Sequence, residues 1–232
     1  MKLIAFDADD TLWVNEPNFV GVKEKFCELL AHYVDQQTLS SQLYDAEVRN
    51  LQVFGYGAKS FMLSMIETAI ELTDGAITGR EIQQIIDTSR RLLDYPIDVL
   101  DGIPEVLDVF SKHFELMVLT KGDLFDQESK LARSGLGHYF KHIEIVSEKN
   151  EQSYQRVLTR YNVAPADFIM IGNSLKSDIL PVVHIGGRAI YIPSDTTWVH
   201  EHVADEQLVG KSFTTLASAR ELLTLLGVKE IA

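Results

Sequence analysis

Cysteine is nearly absent from this chain, prolines number six, and no apolar run approaches the length of a bilayer span. The lone Cys27 excludes an intrachain disulfide and fits a reducing compartment, where it reads as a buried apolar filler. Without a membrane-length segment no spanning helix is expected. The run Leu3-Ile4-Ala5-Phe6 is too short for a signal peptide, which makes the cytoplasm the expected location. Basic residues are also scarce, 21 Lys and Arg against 34 Asp and Glu, for a formal net charge of -13. That field opposes nucleic acid polymers and anionic lipid surfaces. A small phosphorylated molecule remains compatible, because one bound metal ion and one or two lysines reverse the field locally.

What is present is a 232-residue chain with 46% hydrophobic side chains, enough for a sizeable core, and with no low-complexity block or internal repeat. Residues 2–6 read as a short buried strand. From about Phe19 to Leu93 the pattern becomes helical: FVGVKEKFCELLAHYV, SSQLYDAEVRNLQVF, KSFMLSMIETAIELT and TGREIQQIIDTSRRLL place apolar residues three and four apart. After Tyr95-Pro96 strands ELMVLT, HIEIV, DFIMIG and RAIYI alternate with helices near 104–112, 123–135, 151–161 and 177–186. Alternation of this kind predicts right-handed βαβ units and a parallel sheet covered on both faces. The fold class expected is α/β, a doubly wound Rossmann-like core (1–14 and 97–232) with an inserted all-helical domain (15–96).

Ligands in such sheets bind at the carboxyl ends of strands, near the reversal of strand order. Those ends carry Asp7-Ala8-Asp9-Asp10-Thr11, Thr120-Lys121, Ser147-Glu148-Lys149 and Gly172-Asn173-Ser174-Leu175-Lys176-Ser177-Asp178. Residues two apart in an extended segment share a side, so Asp7 and Asp9 are expected to face one pocket. Paired carboxylates repel unless a cation lies between them or one holds a proton, and both remedies serve catalysis. The competing reading makes these acids caps of a turn or helix. Thr120 offers a hydroxyl to a phosphoryl oxygen or simply closes a turn. Lys149 offers charge neutralisation or is a solvated surface lysine. Asn173 and Asp178 offer oxygen donors to a divalent ion such as Mg²⁺, and Asp178 also fits a helix N-cap.

With those residues in view, the sequence resembles the haloacid dehalogenase superfamily, in its phosphatase branch with a helical cap after the first strand. FDADDTLW is similar to that family's Asp-x-Asp-x-Thr motif, VLT to its second motif, Lys149 to its motif lysine and GNSLKSD to its acidic fourth motif. The resemblance implies a Mg²⁺-dependent phosphatase of a small phosphate monoester, with Asp7 as nucleophile and Asp9 as general acid and then base. It further implies that Thr120 and Lys149 hold the phosphoryl group, with Lys121 as the fallback lysine. The metal set it implies is Asp7, Asp9 through its carbonyl, Asn173 and Asp178. Two departures stand out: Asn173 replaces the usual Asp, and Asn150 rather than Pro follows Lys149. The family's caps exclude water from the core, and Trp13, Phe54, Tyr56, Lys59 and Arg90 are the side chains expected on the substrate side. A phosphosugar mutase, a dehalogenase, a receiver-like phospho-switch and a non-catalytic member are the alternatives, and the partner expected is a small phosphorylated metabolite.

Overall fold

The apolar run near the N-terminus forms strand β1, Leu3–Phe6, in a computed structural model that describes residues 3–228. Lys2, expected in the same strand, lies outside the described residues. Helices α1 (Glu16–Leu30), α2 (Gln36–Phe54), α3 (Ala58–Leu72) and α4 (Gly79–Asp94) follow. The rest alternates: α5 (Ile103–Ser111), β2 (Glu115–Lys121), α6 (Leu124–Ser134), β3 (His142–Val146), α7 (Glu151–Arg160), β4 (Phe168–Gly172), α8 (Leu180–His184), β5 (Arg188–Tyr191), α9 (Asp205–Leu208), β6 (Thr214–Thr215) and α10 (Glu221–Leu225).

All six strands pair in parallel, in the order β3-β2-β1-β4-β5-β6. The chain moves outward from β1 through β2 to β3 and then restarts at β4 on the other side of β1, so strand order reverses between β1 and β4. Side chains of β1 alternate between two cores. Ile4 and Phe6 pack with Val106, Leu107 and Phe110 of α5 and Leu222 of α10. Leu3 and Ala5 pack with Tyr154, Val157 and Leu158 of α7 and Val182 of α8. Because both faces are covered, the strand is apolar throughout and shows no polar alternation.

The chain partitions into two units. The first holds the sheet and comprises the residues through Glu16, Ile97–Lys121 and the chain from Gln127 onward. The second comprises Pro17–Pro96 with Gly122–Asp126. Its helices bury Val22, Phe26, Leu30, Leu39, Leu43, Met65 and Ile85 together. A capping box at Thr78 and Glu81 starts α4, satisfying backbone N–H groups that the first turn leaves orphaned. The five-residue segment Gly122–Asp126 had no sequence cue for this unit. It groups there because Lys59 Nζ pairs with Asp123 Oδ1 at 3.0 Å and Gly57 approaches Asp123 so closely that a Cβ would sit 3.4 Å from its Cβ.

Two details differ from the sequence expectation. The two-residue β6 has no apolar run to announce it. The stretch expected as one helix at 177–186 is instead a π-helical turn, Leu175–Ile179, capped by the Ser174 side chain, followed by α8 with Pro181 in its first turn. Proline lacks the N–H a continuous helix would need, so the helix restarts where that donor is not required.

Candidate active site

Asp7 extends the β1 ladder by one residue, its N–H donating to Ile171 O at 2.9 Å. The extended chain then stops. Ala8 O accepts from Thr11 N at 3.2 Å and Leu12 N at 2.7 Å, and Asp10 takes φ +58, closing a tight turn. Asp10 in turn accepts from Asn15 N at 2.8 Å and Glu16 N at 3.0 Å, so this third acid does cap the start of α1. Burial pushes its carboxyl up to about 6 against those hydrogen bonds.

Lys149 arrives from the segment after β3 and places Nζ 2.5 Å from Asp7 Oδ1 and 2.7 Å from Asp178 Oδ1. Asn150, where the family usually has Pro, caps α7 by accepting from Ser153 N at 2.9 Å, which fixes the approach of its neighbour. Asp178 is carried by the π-helical turn and is fully buried; its Oδ2 accepts from Ser174 N at 3.0 Å. Gly172 makes room for it, since a Cβ there would stand 2.2 Å from Asp178 Oδ2. Two carboxylates thus share one buried ammonium. Burial, then the charge of Asp178, pushes Asp7 up to about 7 despite Lys149, with Asp9 adding a smaller push. Burial pulls the Lys149 ammonium down, but Asp178 and Asp7 together outweigh it and hold it above the usual lysine value.

The strand alternation that puts Asp7 and Asp9 toward one pocket does not reach Asp9. Strand periodicity ends at Ala8, and the Asp9 carboxylate turns toward α6 instead. It accepts from Trp13 Nε1 at 2.7 Å, Gln127 Nε2 at 2.8 Å and Lys130 Nζ at 3.1 Å. What Asp9 brings beside Asp7 is its backbone carbonyl. Trp13, expected to line the substrate side, is 1% exposed, sits in the sheet core and bridges to Val99; it has no free face to offer. Gln127 and Lys130 were not anticipated. Their only signal is two polar residues one helical turn apart, next to the core residue Leu131.

Thr120 is buried at the end of β2, two residues past Val118, which is level with Phe6, and its hydroxyl makes only a long 3.4 Å contact to Lys121 O. Lys121 is not drawn to Asp7. Its Nζ lies 2.6 Å from Glu201 Oε1 and 2.9 Å from Ser177 Oγ. Glu201 also accepts from the hydroxyls of Ser174 and Ser177. Burial alone would raise the Glu201 carboxyl, yet Lys121 and these donors hold it down at about 2.

Asn173 stands at the third side of Asp7. Its amide oxygen accepts from Thr11 Oγ1 at 3.0 Å and otherwise faces the acceptors Asp7 Oδ2 and Asp9 O; turned over, Nδ2 would donate to both at 3.2 Å. Oxygens gathered at this spacing suit a hard cation, since octahedral Mg²⁺ with ligands about 2.1 Å away has edges of about 3.0 Å. Among the described residues no group of three His, Cys, Asp or Glu side chains is gathered for a metal, so the donor set that fits is mixed: carboxylate, carbonyl and amide. In the second unit, Tyr56 is half-buried, and Lys59 is exposed, pairing with Asp123 and lying 5.6 Å from the Phe125 ring centroid. Phe54 is exposed, and Arg90 pairs with Asp87 at 3.4 Å.

A carboxylate just past the strand beside the reversal, met there by a lysine and a second acid, marks a doubly wound α/β protein with a buried charge cluster at the sheet's switch point. The family model for haloacid dehalogenase-like hydrolases matches residues 1–186, and the chain belongs to that family. A crystal structure of a haloacid dehalogenase-like family hydrolase from Xanthomonas campestris superposes with a TM-score of 0.80 at 45% identity, covering 85% of this chain and 84% of that one. The glyceraldehyde 3-phosphate phosphatase of Methanothermobacter thermautotrophicus is 29% identical over 124 residues, 51% of this chain and 55% of that protein. The N-acylneuraminate-9-phosphatase of Mus musculus is 26% identical over 143 residues, 58% of this chain and 54% of that protein. The chain therefore spans about half the length of these curated relatives. No helix among the described residues is long and apolar enough to cross a membrane.

Proposed function

We propose that the protein hydrolyses a small phosphate monoester through an aspartyl-phosphate on Asp7, with Mg²⁺ as cofactor. The observation that carries this reading is the buried Lys149 ammonium 2.5 Å from Asp7, beside the oxygens of Asn173 and Asp9 at the end of β1. The phosphatase names of the relatives support the class of reaction. Asp7, Asn173, Asp178 and the Asp9 carbonyl would hold the ion, which when bound supplies charge neutralisation at the phosphoryl oxygens and at Asp7.

In the first step Asp7 Oδ bonds to phosphorus in line with the ester oxygen, the P–O bond to the alcohol breaks, and a proton from Asp9 goes to the departing oxygen. Lys149 holds Asp7 ionised and in place, and Thr120 offers its hydroxyl to a phosphoryl oxygen. In the second step a water oxygen bonds to phosphorus, the bond from phosphorus to Asp7 breaks, and the proton from water passes to Asp9. Lys121 is bound up with Glu201 and is read as part of the wall next to the π-helical turn, while Lys149 takes the motif role. Residues 15–96 are read as the module that discriminates among esters, with Tyr56 and Lys59 as the side chains to vary. The test is a panel of phosphate esters assayed for released phosphate, with Mg²⁺ and with EDTA, for the wild type, Asp7→Asn and Asp9→Asn. Release that depends on Mg²⁺ and vanishes in Asp7→Asn is expected; equal release by all three enzymes would reject the mechanism.

A further inference from the structure

The Asp9 carboxylate is met by three N–H donors and no acceptor among the hydrogen bonds it makes: Trp13 Nε1, Gln127 Nε2 and Lys130 Nζ, which reaches both oxygens at 3.1 and 3.2 Å. A shell of donors on both oxygens fixes the direction in which this carboxylate points. Lys130 is 6% exposed and is itself anchored by Asn15 Oδ1 at 2.8 Å. Burying an ammonium costs several kcal/mol unless it is paired, so on the order of one strong interaction is being spent at this spot. The second observation is independent. Gln127 Oε1 is, among the described residues, the buried side-chain polar atom left with no hydrogen-bond partner. A buried amide oxygen without a donor is costly, and the amide it belongs to already touches Asp9 through its nitrogen. An O–H donor next to Asp9 would satisfy it.

Resting on the phosphatase reading above, we infer that Gln127 and Lys130 of α6 serve the second half-reaction, Lys130 positioning Asp9 as the base and Gln127 Oε1 holding the water that Asp9 deprotonates. The water's oxygen bonds to phosphorus, the bond from phosphorus to Asp7 breaks, one water proton moves to Asp9, and the other stays hydrogen-bonded to Gln127 Oε1. Neither residue takes part in forming the aspartyl-phosphate from an ester with a good leaving group, which departs without a proton.

This division gives a kinetic signature that a structural role would not produce. With p-nitrophenyl phosphate and Mg²⁺, Lys130→Met and Gln127→Leu are each expected to lower kcat, by about 10²-fold if the aid to the base is lost. KM should fall by the same factor, because kcat/KM reports only the steps through phosphorylation. Rapid mixing should then show a burst of one equivalent of p-nitrophenol, and Lys130→Arg should restore part of kcat. Thermal melts of the variants check that they fold, and Gln127→Glu keeps the size of the side chain should Gln127→Leu fail to fold. Unchanged kcat in both variants, or a fall in kcat/KM equal to the fall in kcat with no burst, would overturn the inference. A wild type that releases no phosphate from any ester would instead reject the phosphatase reading itself.

Discussion

Lys149→Met would remove the one ammonium between Asp7 and Asp178 while keeping the volume of the side chain. Taking one member from a buried ion pair costs about 3–5 kcal/mol, because the charge left behind has neither water nor a partner. For a chain of this size each kcal/mol moves the melting temperature by about 2–4 °C, so a fall of about 6–20 °C is expected. The loss should depend on pH. Asp7 already sits at about 7 when folded, against 3.8 as an ordinary Asp. Its folded value is raised, so its contribution to stability is complete below about pH 4 and is lost as pH rises toward 7. Without Lys149 the folded value rises further and the loss continues to higher pH. The gap between wild type and variant is therefore expected to be wider at pH 8 than at pH 5.5. Circular dichroism melts in EDTA at both pH values measure it. Melting temperatures within about 2 °C of wild type at pH 8 would refute the claim that Lys149 is the charge compensating this centre.

The remaining perturbations probe the same centre from other sides. Asp7→Asn should abolish phosphate release yet melt above the wild type at pH 8 in EDTA, since it relieves a carboxylate that burial and the charge of Asp178 hold well above its ordinary value; a lower melting temperature would count against the crowding described. Gly172→Ala drives a Cβ to 2.2 Å from Asp178 Oδ2. Overpacking of this kind costs about 1–3 kcal/mol, and if the proposed Mg²⁺ site is disrupted with it, added Mg²⁺ should raise the melting temperature of the wild type but not of the variant. Glu201 has its folded value lowered to about 2 from 4.5, so the stability it provides is full above about pH 4.5 and lost as pH falls toward 2. Glu201→Gln should lower stability by about 2–3 kcal/mol at pH 6, with the difference from wild type closing near pH 2; urea unfolding across that range would show it.

Much of this was legible because strand ends are easy to find. The apolar runs LIAF, ELMVLT, HIEIV and FIMIG located β1 to β4, and the polar residues after them delivered Asp7, Lys149 and Asp178, with Lys149 within hydrogen-bond reach of both acids. Register did the rest: Phe6 is level with both Val118 and Ile171. Side-chain direction beyond the last ladder residue was not legible. Asp9 was assigned to the side of Asp7 by strand alternation, but a turn at Ala8 breaks the period, and no pattern in DADDT marks where it breaks. Trp13 misled for the same reason: closeness in sequence to the acids suggested the pocket, whereas its indole lies in the core with only N–H directed at Asp9. Gln127, Lys130 and Glu201 sit on a helix face and a short 3₁₀ turn, where a polar residue is ordinarily read as solvated.

Of the six strands, β1, at whose end Asp7 stands, comes first in the chain, yet both of its neighbours come much later. Leu3 finds its neighbour Glu115 only 112 residues later and Phe168 only 165 residues later. At about 5–20 residues per second that is a delay of roughly ten to thirty seconds, during which four apolar side chains lack their native companions. The four helices encoded in between have their own core and no such debt to distant sequence. Helical folding ahead of sheet closure is thus written into the order of the chain, and a nascent fragment ending before Gly172 would carry Asp7 without the Asp178 that shares its lysine.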